Sequence, residues 1–289
     1  NTSARPHRPG FAQHLSRHHR GIIPSRVRKR IASAHIMMKI LRPMAVFTGI
    51  LVVWQLVVWL FDIAPFILPG PISVITVAIE RADTLVGHAG VTLSEILLGL
   101  LFGTILGVGS ALIMAYFRQA RSWLLPVLVV SQAVPVFALA PVLVLWFGYG
   151  IAPKVAMATL IIYFPVTAAF YDGLRRTEAG WVDLARTMGA SKATILRQIR
   201  LPAALPAFAS GVRVAAAVAP IGAVVGEWVG SSAGLGYYML LMNGRVQTAA
   251  MFAALFVLAI MSVCIYFLID AALRRLIAWQ PEADPASFN

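Results

Sequence analysis

Thr177-Glu-Ala-Gly-Trp-Val-Asp-Leu-Ala-Arg-Thr-Met-Gly-Ala-Ser-Lys-Ala-Thr-Ile-Leu-Arg-Gln-Ile-Arg-Leu-Pro202 is a polar, basic stretch between two long apolar tracts. Its spacing predicts two short helices joined at a glycine. Thr177 is placed to cap the first, Gly189 to end it in a left-handed turn, and Ser191 to cap the second. The second is expected to stop before Pro202, which has no amide hydrogen to donate. Val182, Ala185 and Met188 share one face of the first helix, with Asp183 and Arg186 on its flanks. Such a single apolar stripe on a surface helix suits a groove in another protein.

The flanking sequence sets the environment of this stretch. Of the 289 residues, 60% are apolar and only 12% charged, too apolar for a soluble domain of this length. The chain is therefore expected to be a polytopic membrane protein. Six apolar tracts, at about 44–61, 92–116, 123–147, 151–171, 206–229 and 249–273, each approach the ~20 residues that cross a bilayer as a helix. With the N-terminus inside, 21 Lys and Arg residues fall on the inner side and three, Arg81, Lys154 and Arg245, on the outer. That asymmetry predicts cytoplasmic termini and a cytoplasmic 177–202 loop. It also argues against nucleic acid as the partner of the +13 net charge, because the cations follow the membrane topology rather than one folded surface.

Residues 1–42 hold ten Lys or Arg and no acid, the composition of a disordered cytoplasmic tail beside anionic lipid, or alternatively of an organelle transit peptide. His14 and His18 are four apart but have no third ligand nearby. The domain reading is a tail over 1–42, a transmembrane domain over 43–278 and a C-terminal tail over 279–289. Cys264, the single cysteine, is expected to be a buried core residue, with no disulfide or thiol-pair chemistry.

The tracts differ in character. The first, with Trp54 and Trp59, reads as a peripheral, lipid-facing helix. Gly99, Gly103 and Gly107 form a ridge of small residues in the second, which lets another backbone approach. Pro126, Pro135 and Pro141 rule out a straight helix in the third. From Ala207 to Gly226, 11 of 20 residues in the fifth are Ala, Gly or Ser, and Pro220 is expected to interrupt it. The third and fifth tracts are the candidates for lining a translocation path. Glu95 is expected to open the second tract and Glu227 to close the fifth, both near the outer face, where each either borders a substrate entrance or contacts water and backbone. Asp270 and Arg274 read as an i,i+4 pair only.

Asp183-Leu184-Ala185, three residues, Gly189, nine residues, Ile199, one residue, Leu201-Pro202 resembles the cytoplasmic loop of ABC importer permeases, in which the pattern is Glu-Ala-Ala, x3, Gly, x9, Ile-x-Leu-Pro. Asp183 stands for Glu and Leu184 for Ala; the other positions match in register. Pro135 to Gly148, followed by Ile151-Ala-Pro-Lys-Val, resembles the third span and outer turn of the nitrate, sulfonate and taurine branch. Val212 to Gly236 is similar to permeases for pyrimidine precursors of thiamine. The resemblance implies an all-α, six-span permease of the type I importer fold in a bacterial inner membrane. It further implies a second permease copy, two ATPase chains that carry the ATP and Mg, and an extracytoplasmic solute-binding protein. Asp183, Leu184, Ala185, Gly189, Ile199, Leu201 and Pro202 would couple ATPase closure to the spans. Pro135, Trp146, Pro220, Glu227 and Trp228 are the path candidates, with Glu227 accepting from an amino-substituted ring and Trp146 or Trp228 stacking on it. The implied cargo is a hydroxymethylpyrimidine-type thiamine precursor, with a sulfonate, taurine or nitrate as the alternative.

The sequence contains neither G-x4-G-K-[ST] nor His-Glu-x-x-His, so hydrolysis is expected in a partner and no zinc or other cofactor in this chain. Gly230-Ser-Ser232-Ala-Gly234 matches Gly-x-Ser-x-Gly and keeps open an intramembrane serine protease. His88 is the one histidine on the correct side to serve it as a base. A stand-alone secondary transporter would leave the 177–202 spacing without a use.

Overall fold

The computed structural model describes residues 45–46 and 48–279. The readings made for the basic tail over 1–42, and for 280–289 of the C-terminal tail, lie outside them. The described residues are helical and contain no strand. α1 spans Thr48–Leu60 and belongs to a separate unit that ends at Leu60. The second unit holds α2 (Pro71–Glu80), α3 (Ala82–Tyr116), α4 (Arg118–Ala133), α5 (Val136–Phe147), α6 (Ala152–Arg175) and α7 (Ala179–Thr187). Then come α8 (Lys192–Ile195), a π-helical turn (Leu196–Arg200), α9 (Leu201–Gly230), α10 (Leu235–Gly244) and α11 (Thr248–Leu276). Among these residues α3, α6, the stretch Lys192–Gly230 and α11 are long and apolar enough to cross a membrane, and α4 with α5 makes a fifth if the bent pair is one span. α1 is shorter than the ~20 residues that a full crossing needs.

α3, α6 and α9 form the centre, and small residues set how close they come. α3 and α6 run parallel. A Cβ on Gly99 would collide with Ala158, one on Gly103 would lie 2.6 Å from Ile162 Cγ2, and one on Gly107 3.0 Å from Val166 Cγ1. The predicted glycine ridge is thus the surface of α3 on which Ala158, Ile162 and Val166 of α6 seat. α9 packs antiparallel on the same helix. Cβ atoms on Gly211 and Gly222 would lie 2.7 Å from Pro165 O and from Ala158 Cα, and one on Gly226 3.0 Å from Lys154 Cα. Fully buried Ala158, Ile162, Val166, Ala215, Ala216, Ala219 and Ala223 fill the seam. Lipid supplies no hydrophobic drive between spans, so close dispersion contact of this kind is what holds them together.

Several expectations are corrected. α3 starts at Ala82, ten residues before the predicted 92, because its polar residues His88, Thr92 and Glu95 find partners inside the protein. The third tract, as its prolines lead us to expect, is not straight: it breaks into α4 and α5, bent by 104°. Pro135 forces the preceding Val134 into an extended conformation (ψ 120°), whereas Pro126 and Pro141 are carried within helices. Pro220 does not interrupt α9, which runs unbroken from Leu201 to Gly230, because the Ala- and Gly-rich neighbours leave room for the ring. Pro202 does not stop the second loop helix either. The wider π turn over Leu196–Arg200 hands the chain directly into α9, and Pro202 falls in its first turn, where no amide donor is required. Thr177 does not cap α7: Glu178 holds that position, and the Thr177 hydroxyl donates back to Leu174 O at 3.3 Å.

Asp270 does more than pair with Arg274 four residues on (2.9 Å); it also accepts from Arg213 of α9 at 2.6 Å, tying α11 to α9. Cys264 is exposed, not buried, because much of α11 faces outward, with Ile260, Val263, Phe267 and Leu268 also exposed.

The glycine contacts give a direct test. Gly103→Val should destabilise the protein by about 1–3 kcal/mol through overpacking against Ile162. Gly109→Ala, at a glycine of α3 with open space around it, should be neutral or slightly stabilising. Thermal unfolding in detergent distinguishes the two.

Candidate functional site

The two ends of the α3–α6–α9 core carry different chemistry. At the loop end, α7 closes on Gly189, whose φ of +78° is the left-handed turn expected of it. Ala190 N donates to Ala185 O at 2.9 Å and Gly189 N to Arg186 O at 2.9 Å, satisfying the last carbonyls of the helix. Ser191 caps α8 by accepting from Thr194 N at 3.2 Å. Val182 is buried, which anchors α7 to the body and turns the rest of the helix outward. Asp183 and Arg186 pair at 3.0 Å in the open. Trp181, Leu184 and Met188 are exposed, and with Ala185, Ile199 and Pro202 they line one apolar groove. Four of the seven predicted coupling positions therefore meet on one surface. Leu201, half-buried, lies at the start of α9 beneath it, and Gly189 makes the turn beside it.

At the far end, charge is buried. Glu95 of α3 is fully buried, and its carboxylate lies 2.9 Å from the ammonium of Lys154 at the start of α6, itself 5% exposed. Glu227, 1% exposed near the end of α9, receives three hydrogen bonds. Thr92 Oγ1 donates to its Oε1 at 2.6 Å, and the amides of Gly236 and Tyr237 donate to its Oε2 at 2.5 and 3.2 Å. Thr92 in turn accepts from Leu235 N at 2.8 Å, and His88 Nδ1 accepts from Gly234 N at 3.0 Å. These side chains of α3 and α9 thus satisfy the free amides that open α10, where negative charge is favoured.

This arrangement also explains the glycines of the Gly-x-Ser-x-Gly match. Gly234 has φ +114°, and a Cβ there would fall onto the Glu227 carboxylate. Ser232 is hydrogen-bonded to no histidine among the described residues, while His88 Nδ1 is engaged with the Gly234 amide.

Glu227 and Trp228 line a pocket with Lys154, Tyr149 and Tyr237. Trp146, 72% exposed, lies outside it; Pro220 is buried lower in α9, and Pro135 is exposed at the α4–α5 break. Glu95 stands more than three turns inside α3 rather than opening it, which corrects its expected place at the interface. Thr92 escaped the sequence reading, in which Lys154 figured only as a topology charge and His88 only as a possible base for a serine. One signal was available: a lysine within an apolar tract must find a partner there, and Glu95 is a carboxylate under the same constraint.

The chain matches the family described as binding-protein-dependent transport system inner membrane component over residues 99–279, which includes the 177–202 loop and both ends of α9. It is 54% identical over 239 residues to a probable ABC transporter permease protein of Haemophilus influenzae, covering 83% of this chain and 98% of that one. To the formylaminopyrimidine transport permease protein ThiX of Halalkalibacterium halodurans it is 36% identical over 241 residues, covering 83% and 96%. The fold is similar to that of the MetNI methionine ABC transporter in an inward-facing conformation, with TM-score 0.59 at 20% identity over 68% of this chain and 97% of that one. The chain belongs to the ABC importer permease family, in the branch with sulfonate and taurine permeases. It is a membrane-embedded transport component for a small solute, and ATP hydrolysis belongs to a partner subunit.

Removing one partner of the buried pair leaves the other charge uncompensated. Lys154→Met should destabilise the protein by about 3–5 kcal/mol, and adding Glu95→Leu should recover most of that loss. Unfolding midpoints of the single and double variants in detergent check this.

Proposed function

We propose that two copies of this chain form the translocation path of an importer, with ATPase subunits docked on the 177–202 loops and a solute-binding protein at the far end. ATP and Mg bind to the ATPase chains. Both termini and the loop lie in the cytoplasm, as the 21-to-3 distribution of Lys and Arg favours. The observation that carries the reading is the groove that Trp181, Leu184, Ala185 and Met188 of the α7 region form with Ile199 and Pro202, the last two on a helix continuous with a central span. Its apolar lining suits the stripe of a docking protein. Lys192–Gly230 comprises 39 residues, roughly 58 Å at the helical rise, well beyond the ~30 Å of bilayer hydrocarbon. A displacement of the loop is thereby delivered along α9 to Glu227.

The cargo we favour is a hydroxymethylpyrimidine-type thiamine precursor, in line with the formylaminopyrimidine permease among the relatives. Import of a sulfonate, taurine or nitrate is the second reading. The far-end cluster sets two carboxylates against one ammonium, which repels an anionic solute more than a neutral ring.

Gly189→Val tests the coupling. The site has open space, so backbone conformation alone opposes valine, at about 1–3 kcal/mol. In vesicles containing permease, ATPase and binding protein, Gly189→Val should cut solute uptake at least tenfold while ATP is still hydrolysed. Gly189→Asn, which tolerates the left-handed region, should retain uptake. Normal uptake by the valine variant would refute this account of the joint.

A further inference from the structure

The loop end carries a second concavity, distinct from the apolar groove, between the end of α3, the start of α4, the end of α6 and the turn from α7 into α8. Six cations line it, Arg118, Arg121, Arg175, Arg186, Lys192 and Arg200, and no carboxylate does. Arg186 is bonded to Asp183; none of the other five has an ion-pair partner among the described residues. Arg200 Nε is shut off from solvent and makes no hydrogen bond. An N–H buried without an acceptor is costly, and so is the mutual repulsion of converging cations; a bound anion relieves both. Orientation in the membrane asks only for positive residues near the ends of spans. It does not require five separate elements to turn theirs into one cavity.

The rest of the lining includes buried Met114, Tyr171, Leu174 and Ile195, which give the pocket an apolar part. Tyr116 in its lining and Trp123 in α4 are exposed, the amphipathic ring types that settle at the level of lipid headgroups. Guanidinium groups recognise phosphate through paired hydrogen bonds, and a basic pocket between membrane helices matches an anionic headgroup attached to apolar chains. We propose that this pocket binds a phosphate ester, and that its occupant is the headgroup of an anionic phospholipid. A free phosphate shares the charge but has no use for the apolar part. The proposal depends neither on the cargo nor on coupling through the loop.

The full chain, purified in detergent, is titrated with phosphatidylglycerol and separately with phosphatidylcholine, and bound lipid is counted by native mass spectrometry. The expected result is at least tenfold tighter retention of phosphatidylglycerol, unchanged by millimolar inorganic phosphate. Arg118→Gln/Arg121→Gln, at two exposed positions that leave the core intact, should lose that preference tenfold or more, as should Arg200→Gln. Arg245→Gln/Arg275→Gln, outside the pocket, should keep it. Equal retention of the two lipids, equal behaviour of the two double variants, or displacement of the lipid by inorganic phosphate would overturn the proposal. So would expulsion of the lipid by added ATPase subunit, which would assign the pocket to that protein's surface.

Discussion

α6 and its two neighbours approach at glycines that have no side chain to keep them apart, and everything else is arranged around that. Where α3 and α9 cross α6, glycines of the outer helices receive Ala158, Ile162 and Val166 of α6 or its bare backbone, which leaves little freedom to slide. Packing at such density transmits a shift of one element to the next instead of absorbing it. The seam places Lys154 beside Gly226, and hence the ammonium of α6 next to the carboxylates of α3 and α9. It also holds the start of α9 under the loop. One packing constraint thus sets the geometry of both ends.

Those ends are electrostatic opposites. The far end is a closed network in which Glu227, Thr92 and His88 serve the amides that open α10 and Glu95 is matched to Lys154. The hydrogen bonds to Glu227 and the ion pair that alone compensates the buried Glu95 carboxylate hold it; in a low-dielectric setting, losing any one of these partners is expensive. The loop end is open, with unpaired cations and an apolar groove, both surfaces that gain by acquiring a partner. Between them the Asp270 carboxylate holds Arg213 and Arg274 together, linking α9 to α11.

Much of this was legible in the sequence because it rests on local chemistry. The left-handed turn at Gly189, the Ser191 cap, the Gly99–Gly103–Gly107 ridge and the break at Pro135 follow from conformational limits of single residues or from fixed spacing. The readings that failed depended on long-range partners. Pro202 and Pro220 looked like helix breakers because the π turn before one and the alanine seam around the other cannot be seen locally. Glu95 looked interfacial because Lys154, 59 positions later, was counted only as a topology charge. Thr92 and His88 are ordinary residues by any local measure, and only the fold brings them to α10. Among the path candidates, Glu227 and Trp228 share a pocket, while Trp146 and Pro135 do not reach it, since proximity along a chain bent between α4 and α5 is no guide to proximity in space.

The central claim is that the apolar groove on the 177–202 loop, between α7 and the helix that continues into α9, is where an ATPase subunit docks. Its most direct test is a photo-crosslinking residue placed at Leu184, which is 63% exposed in the groove, in the assembled complex within native membranes. The account predicts a single prominent adduct of the mass of an ATPase subunit, absent when the same group is placed at the outward-facing Leu268 of α11. No adduct at Leu184, or the same adduct from both positions, would contradict it.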